Sequence, residues 1–375
     1  MEFGIAFGRP SPHDQPTDLQ PQKEPPMILI SGNMGYIGQV MTRFLTERSL
    51  EVVGLDSRFY RGCEFQNGTR PRFRQIVKDV RDVTEADLEG VTAVIHLAAL
   101  STDFLGEMDP QLTYDINGAA SARLAEMAKK AGVERFLFSS SCSLYGISPE
   151  DRPITEEGLL NPITAYARAK AQAEVEIRKL ADAHFHPVML RNATVYGMSP
   201  GLRLDLVVNV MVAGAVLENK LTVFGDGHHW RPLVHVQDLC RAFYSVLHAP
   251  LETIHNQAFN VGVTGENYRV REIARIVKET LPGGNVEIQF VPGEGGRTYR
   301  VDCSKIHSAC PDFQPQWDLR KGILELYEAY RKGGLTLRDL KSDKYFRVKR
   351  IRHLMDENVL NKDLRFLSRQ FQEVG

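Results

Sequence analysis

Met27-Ile-Leu-Ile-Ser-Gly32-Asn-Met-Gly35-Tyr-Ile-Gly38 opens a unit that runs on to Asp56 and decides the fold. Its apolar start reads as a buried strand. Three glycines at positions 32, 35 and 38 form a turn, and residues 39–48 have helix-forming composition. Glu51-Val-Val-Gly-Leu55 is a second buried strand, and it ends in Asp56. Glycines let the backbone turn sharply from strand to helix and approach a pyrophosphate closely. The helix N-terminus then offers unpaired N–H groups and a positive dipole end to that anion. An acid about 20 residues further on accepts the hydroxyls of an adenosine ribose. A glycine triplet alone would be only a tight turn, but here strand, helix and acid stand in the order a dinucleotide site requires.

Strand and helix patterns go on alternating to residue 191, which implies an α/β fold built on a doubly wound parallel sheet. Strands are expected at 91–97, 136–140 and 187–191, and a long helix at 165–183. Ala120, Leu124, Met127 and Ala131 form one apolar stripe of another helix. Residues 191–335 are mixed, with helices expected at 206–217 and 269–280, and read as a smaller substrate-binding lobe interleaved with late sheet elements. Residues 1–26 are rich in Pro, Gln and Asp and read as a disordered tail. Residues 336–375 read as a helical extension. In it Phe346-Arg-Val-Lys-Arg-Ile-Arg-His-Leu354 alternates basic and apolar positions. That pattern suits a solvated basic face whose apolar side packs on the body, with a phosphate-facing or oligomer-interface role as the alternative.

At 375 residues and 43% hydrophobic content the chain can build a large core, and its net charge of −1 gives no reason to expect nucleic acid or a membrane surface as partner. No apolar run reaches the roughly 18 residues that a membrane span needs. Cys63, Cys142, Cys240, Cys303 and Cys310 form no metal-ligand spacing, so no metal is expected, and their scatter fits a reducing cytoplasm.

Further motifs follow the first unit in order: Asp79-Val80-Arg81-Asp82, His96-Leu97-Ala98-Ala99, Ser139-Ser-Ser-Cys-Ser-Leu-Tyr-Gly146, Tyr166-Ala-Arg-Ala-Lys170 and Arg231-Pro-Leu-Val-His-Val-Gln-Asp238. With the Gly-x-x-Gly-x-x-Gly turn, this ordered set resembles the extended short-chain dehydrogenase/reductase family, the nucleotide-sugar epimerases and dehydratases, over about residues 27–330. The resemblance implies NAD as cofactor, held by Gly32, Gly35, Tyr36, Ile37, Gly38, Asp56, Asp79, Val80, Leu97, Ala98 and Ala99, with Tyr166 and Lys170 at its nicotinamide end. Asp56 would repel a 2′-phosphate and so favours NAD over NADP. Arg58, two residues on, carries the opposite sign and reads as an adenine-stacking or loop arginine.

The chemistry is expected at Ser141, Tyr166 and Lys170. Tyr166 and Lys170 share one helix face. A phenol of pKa near ~10 is a poor base at neutral pH, but a nearby ammonium favours the phenolate. Tyr166 would then take a proton from a sugar hydroxyl while the adjacent carbon is oxidised, with Ser141 hydrogen-bonding the same oxygen. The dehydratase branch has an Asp-Glu pair where Cys142 and Ser143 stand here, and a thiol and a hydroxyl cannot readily replace that acid. The cysteine of 3,5-epimerases falls at position 143, so Cys142 is one residue out of register and reads as a packed thiol. Arg231, Arg297 and Arg300 resemble diphosphate contacts. Thr194 stands where the family usually has Asn, and Asp103 and Asn209 are further sugar-contact candidates alongside Ser143 and Cys142. The expected activity is NAD-dependent epimerisation of a nucleotide-diphosphate sugar through oxidation at C4. A net 4-dehydrogenase or ketoreductase, a C3/C5 epimerase, a 4,6-dehydratase and a non-catalytic NAD-binding scaffold are the alternatives. The resemblance also implies a homodimer.

Overall fold

The computed structural model describes residues 26–65, 71–101, 109–148, 152–283, 285–293 and 296–368. The expected N-terminal tail and Asp103 lie outside the described residues. Strands β1 (Met27–Ser31), β2 (Glu51–Asp56), β3 (Arg74–Val77), β4 (Ala93–His96), β5 (Arg135–Ser141) and β6 (His186–Asn192) alternate with helices α1 (Tyr36–Thr46), α2 (Ala120–Lys130) and α3 (Ala165–Arg178). After β7 (Thr194–Tyr196) come α4 (Val207–Glu218), β8 (Lys220–Phe224), β9 (Trp230–His235) and α5 (Val236–His248). The chain continues through β10 (Ala258–Val261), β11 (Asn267–Arg269), α6 (Val270–Thr280), β12 (Glu287–Val291), α7 (Leu319–Lys332) and α8 (Arg347–Asp356).

Seven strands form one parallel sheet in the order β3-β2-β1-β4-β5-β6-β10. This is the doubly wound Rossmann-type arrangement. The order reverses direction between β1 and β4, and such a switch point opens a crevice beyond the carboxyl ends of those strands. A buried hydrogen-bond chain ties the two strand ends together: His96 Nδ1 meets Ser31 Oγ at 2.6 Å, and His96 Nε2 meets Ser121 Oγ at 2.8 Å.

Alternation along β1 explains why the sheet is covered on both faces. Ile28 and Ile30 pack with α1 and α5, whereas Leu29 packs with α2, α3 and α8. All three are fully buried, which stabilises the fold by about 1.5–3 kcal/mol each. The stripe Ala120, Leu124, Met127 and Ala131 packs into this second face. It is therefore used largely within the chain, with Ala120 and Leu124 buried and Met127 and Ala131 partly buried.

A separate core gathers α4, α6, α7 and β8, beside a three-stranded sheet β11-β9-β7 and a parallel pair of β12 with β8. The C-terminal segment joins both cores: Tyr345 belongs to this one, and Ile351 and Leu354 to the sheet-side core.

Candidate active site

The first half of the site is built by the β1–α1 turn. Gly32 has φ +76°, and its N–H donates to the Leu55 carbonyl at 2.7 Å. A Cβ at Gly32 would stand 2.7 Å from the Ala98 nitrogen, and one at Gly38 would stand 2.1 Å from the Gly32 carbonyl oxygen. The chain therefore crosses over itself here in a way only glycine permits, and the first turn of α1 is left facing a cleft. Gly35, Tyr36 and Ile37 line that cleft, Leu97, Ala98 and Ala99 line its floor, and Asp79 and Val80 line its far end. Asp79 caps the turn that follows it, accepting the Arg81 N–H at 2.8 Å. Asp56 lines the cleft at the end of β2, and its carboxylate accepts N–H bonds from Met34 at 3.1 Å and Arg58 at 2.6 Å. Burial raises its pKa, and these two N–H groups oppose the rise. A pyrophosphate cradle, an acid for a ribose and an apolar floor are the parts an NAD molecule requires, and the residues present fit it.

The second half continues from the first through Tyr36, Ile37, Leu97 and Arg203, which line both. It is a cleft of about 370 Å³ into which the structure brings Ser141, Tyr166, Lys170, Thr194, Arg231 and Arg297. Ser141 ends β5, and its Oγ accepts the Ser143 N–H at 3.1 Å, which leaves its own O–H to donate elsewhere. Helix α3 starts with Thr164 capping the Ala167 N–H at 3.2 Å, so Tyr166 lies in the first turn and Lys170 one turn on. Lys170 is 1% exposed, donates to the Ser139 carbonyl at 2.8 Å and lies 4.5 Å from the centre of the Phe138 ring. Burial pulls its pKa down to about 7, against the pull of Glu174. Arg231 donates to the carbonyls of Trp230 and Arg297, which fixes the two arginine-bearing segments together.

Several expected contacts do not meet here. Cys142 is fully buried with Sγ 3.0 Å from the Arg191 carbonyl, beneath the sheet end and away from the cleft, and burial pushes its thiol well above the usual range. The short helical turn Cys142–Tyr145 after Ser141 carries the Ser143 side chain into the interior too. Asn209 is fully buried, and it caps the Gly197 N–H and holds the Arg203 carbonyl, so it shapes the site without lining it. Arg300 stacks over Trp230 at 4.9 Å, which leaves Arg297 as the cleft-lining member of that pair. Arg58 takes a left-handed backbone, φ +65°, and its N–H serves Asp56, but it is not among the residues that line the cleft.

Other lining residues were not singled out from the sequence. Asn192 lines the second half and donates to Ser139 Oγ at 2.8 Å. Arg203 pairs with Asp205 at 2.9 Å and donates to Ser101. Tyr60 and Arg347 line the first half. Only Asn192 carried a local signal, through its place at the end of a strand beside Ser141.

The profile of the NAD dependent epimerase/dehydratase family matches residues 28–262. This chain belongs to that family. Like its relatives it is an enzyme, and the cofactor of the family is NAD. It is 31% identical to a UDP-glucose 4-epimerase of Mycolicibacterium smegmatis, over 81% of this chain and 98% of that one. A UDP-glucuronic acid decarboxylase of Arabidopsis thaliana is 29% identical over 81% of this chain and 69% of its own. Among solved structures, MoeE5 in complex with UDP-glucuronic acid and NAD superposes with a TM-score of 0.72 at 27% identity, covering 81% of this chain and 99% of that one. The UDP-glucose 4-epimerase of Thermotoga maritima with UDP-glucose gives 0.71 at 25% identity, covering 82% and 99%. Among the described residues no helix is long and apolar enough to cross a membrane, and no group of three or more His, Cys, Asp or Glu is placed to hold a metal.

Proposed function

We propose that this family member interconverts nucleotide-diphosphate sugars through reversible oxidation at C4. The observation that carries this reading is the meeting of Ser141, Tyr166 and Lys170 in one cleft continuous with the dinucleotide half. Tyr166 takes the proton of the sugar O4–H as the C4–H bond breaks, and gives it back when the hydrogen returns to the other face. NAD, when bound, supplies the acceptor and then the donor for that C4 hydrogen. Ser141 donates its free O–H to the same oxygen as it becomes a ketone. Lys170, held under the floor by Ser139, keeps a positive charge or a neutral donor next to the phenol. Arg231 and Arg297 suit the diphosphate of the substrate.

Loss of water across C5–C6 is disfavoured because it needs a carboxylic acid beside the catalytic serine. Among the described residues lining this half the acid is Asp205, and it is committed to Arg203. We take the active unit to be a homodimer through the outer faces of α2 and α3, where Val175 is 54% exposed, and its compartment to be the cytoplasm, where five buried free cysteines stay reduced.

Incubation with UDP-, GDP-, CDP- and dTDP-sugars in deuterated water, followed by mass spectrometry, tests the reading. Isomerisation at constant mass without solvent deuterium is expected. Loss of water, loss of carbon dioxide, deuterium at C3 or C5, or net loss of two hydrogens would each replace it with a different reaction.

A further inference from the structure

The C-terminal helix α8 lies beyond residues 28–262, where the family profile matches. Its second position in the motif Phe346-Arg-Val-Lys, Arg347, is 2% exposed, although the alternating charges suggest a solvated face. Tyr345 before it is anchored in one core and Ile351 after it in the other, so the backbone has no freedom to swing the arginine out. Arg347 instead lines the dinucleotide half, together with Asp56, Tyr60 and Ile37. Its Nη2 donates to the Gly201 carbonyl at 2.9 Å, and its guanidinium carbon lies 3.8 Å from the centre of the Tyr60 ring. Its Nη1 is buried and has no hydrogen-bond partner among the described residues.

A guanidinium stays charged at any ordinary pH, and a buried N–H of such a group left unmatched is costly. The nearby acids do not relieve it. Asp205 is paired with Arg203, and Asp56 accepts from Met34 and Arg58. Position indicates what does. Gly201, which holds Arg347, packs against the start of α1, since a Cβ on Gly201 would stand 3.1 Å from the Gly35 carbonyl oxygen. Arg347 therefore stands beside the glycine turn and the first N–H groups of α1, where an anion is favoured.

We propose that Arg347 is a cofactor-binding residue, and that the C-terminal extension delivers its guanidinium to the pyrophosphate of the bound dinucleotide. The planar fork suits this task better than an ammonium would, because it stacks on Tyr60 while offering N–H groups in fixed directions. The rest of the extension braces the same half of the cleft. Arg365 pairs with Asp79 at 3.3 Å and with Asp82, Phe366 packs on Phe59 with ring centres 5.7 Å apart, and Arg81 Nη2 reaches the Leu364 carbonyl at 3.5 Å. The inference rests on dinucleotide binding and is independent of which sugar carbon reacts.

The test is calorimetric titration of the full chain, stripped of cofactor, with NAD⁺, ADP-ribose, NADP⁺ and adenosine. Arg347→Met keeps the bulk over Tyr60 and removes the charge and donors. It should weaken NAD⁺ and ADP-ribose by about 10–100-fold, leave adenosine unchanged, and flatten the salt dependence of NAD⁺ binding. NAD⁺ and ADP-ribose bound within about twofold of the parent by a variant with parent-like circular dichroism would overturn the proposal. An equal loss for adenosine, or a loss confined to NADP⁺, would overturn it too, the last by placing the contact on a 2′-phosphate. Should Arg347→Met not fold, Arg347→Lys decides: a selective loss for ADP-ribose over adenosine supports the contact, and no loss or an equal loss rejects it.

Discussion

The Asp56 carboxylate accepts the backbone N–H of Met34 at 3.1 Å, which joins the end of β2 to the glycine turn that leads into α1. The acid proposed to face the adenosine ribose is thus held by the loop proposed to cradle the phosphates. A 2′-phosphate would bring a second anion against this fixed, half-buried carboxylate. NAD⁺ is expected to bind at least about tenfold more tightly than NADP⁺, and Asp56→Ala should narrow the gap while lowering the affinity for NAD⁺. Calorimetry with both cofactors decides this, and tighter NADP⁺ binding by the parent protein would reject it.

Behind the Tyr166/Lys170 face, Glu174 of α3 and Arg191 of β6 form an ion pair at 2.8 Å with side chains 4% and 5% exposed. Ser140 donates to the same carboxylate at 2.6 Å, so the pair fixes α3 against the strand that ends in Ser141. Arg191→Met would leave Glu174 buried without its partner and should destabilise the fold by about 3–5 kcal/mol in denaturant unfolding. The double variant Glu174→Met/Arg191→Met should recover much of that loss. A single variant with an unchanged denaturant midpoint would show that the pair does not hold the helix.

Lys170 has its pKa lowered to about 7, from 10.5, by burial. Between these values the unfolded chain binds a proton at this site that the folded chain does not. Stability attributable to Lys170 should therefore rise with pH from about 7 to about 10.5, with a slope of at most about 1.4 kcal/mol per pH unit, and be flat below 7. Unfolding of the cofactor-free protein at a series of pH values measures the slope, and Lys170→Met should remove it. Equal slopes in parent and variant would contradict the assignment.

The strand–turn–helix unit and the Tyr166/Lys170 face were legible because each is a local pattern: an apolar run, glycines, and residues one helical turn apart. Ends were less so. The helix expected to reach residue 183 stops at Arg178, because Asp182 accepts the N–H groups of His184 and Phe185 and folds that stretch into a turn. Strand β3 is a four-residue sheet edge, Arg-Gln-Ile-Val, too short and polar to show a period. Strand β10 completes the sheet from far along the chain, a pairing that no local pattern encodes. The same limit applies to the site. The alternation of charge around Arg347 is that of a solvated face, and only the Gly201 carbonyl and the Tyr60 ring, remote in sequence, turn the side chain inward. Cys142 is the converse case: its sequence position next to Ser141 invites a role in chemistry, and the turn that follows β5 buries it.

The chemistry at C4 is tested by a rank order of variants. Tyr166→Phe keeps the ring in the cleft and removes the oxygen that exchanges the proton, so nucleotide-sugar binding should survive while turnover falls by about 10²–10⁴. Lys170→Met should lower turnover and weaken NAD binding together, since the residue lies under the cleft at the junction of α3 and β5. Ser141→Ala removes one hydrogen bond to the reacting oxygen and should cost less than Tyr166→Phe. Cys142→Ser should leave turnover nearly unchanged, because the thiol faces the Arg191 carbonyl, which a hydroxyl can also reach. Steady-state kinetics on the sugar identified by mass spectrometry give the order. A Tyr166→Phe enzyme that retains most of its turnover, or a Cys142→Ser enzyme that loses nearly all of it while folded, would remove the C4 reading and put acid–base exchange at C3 or C5 in its place.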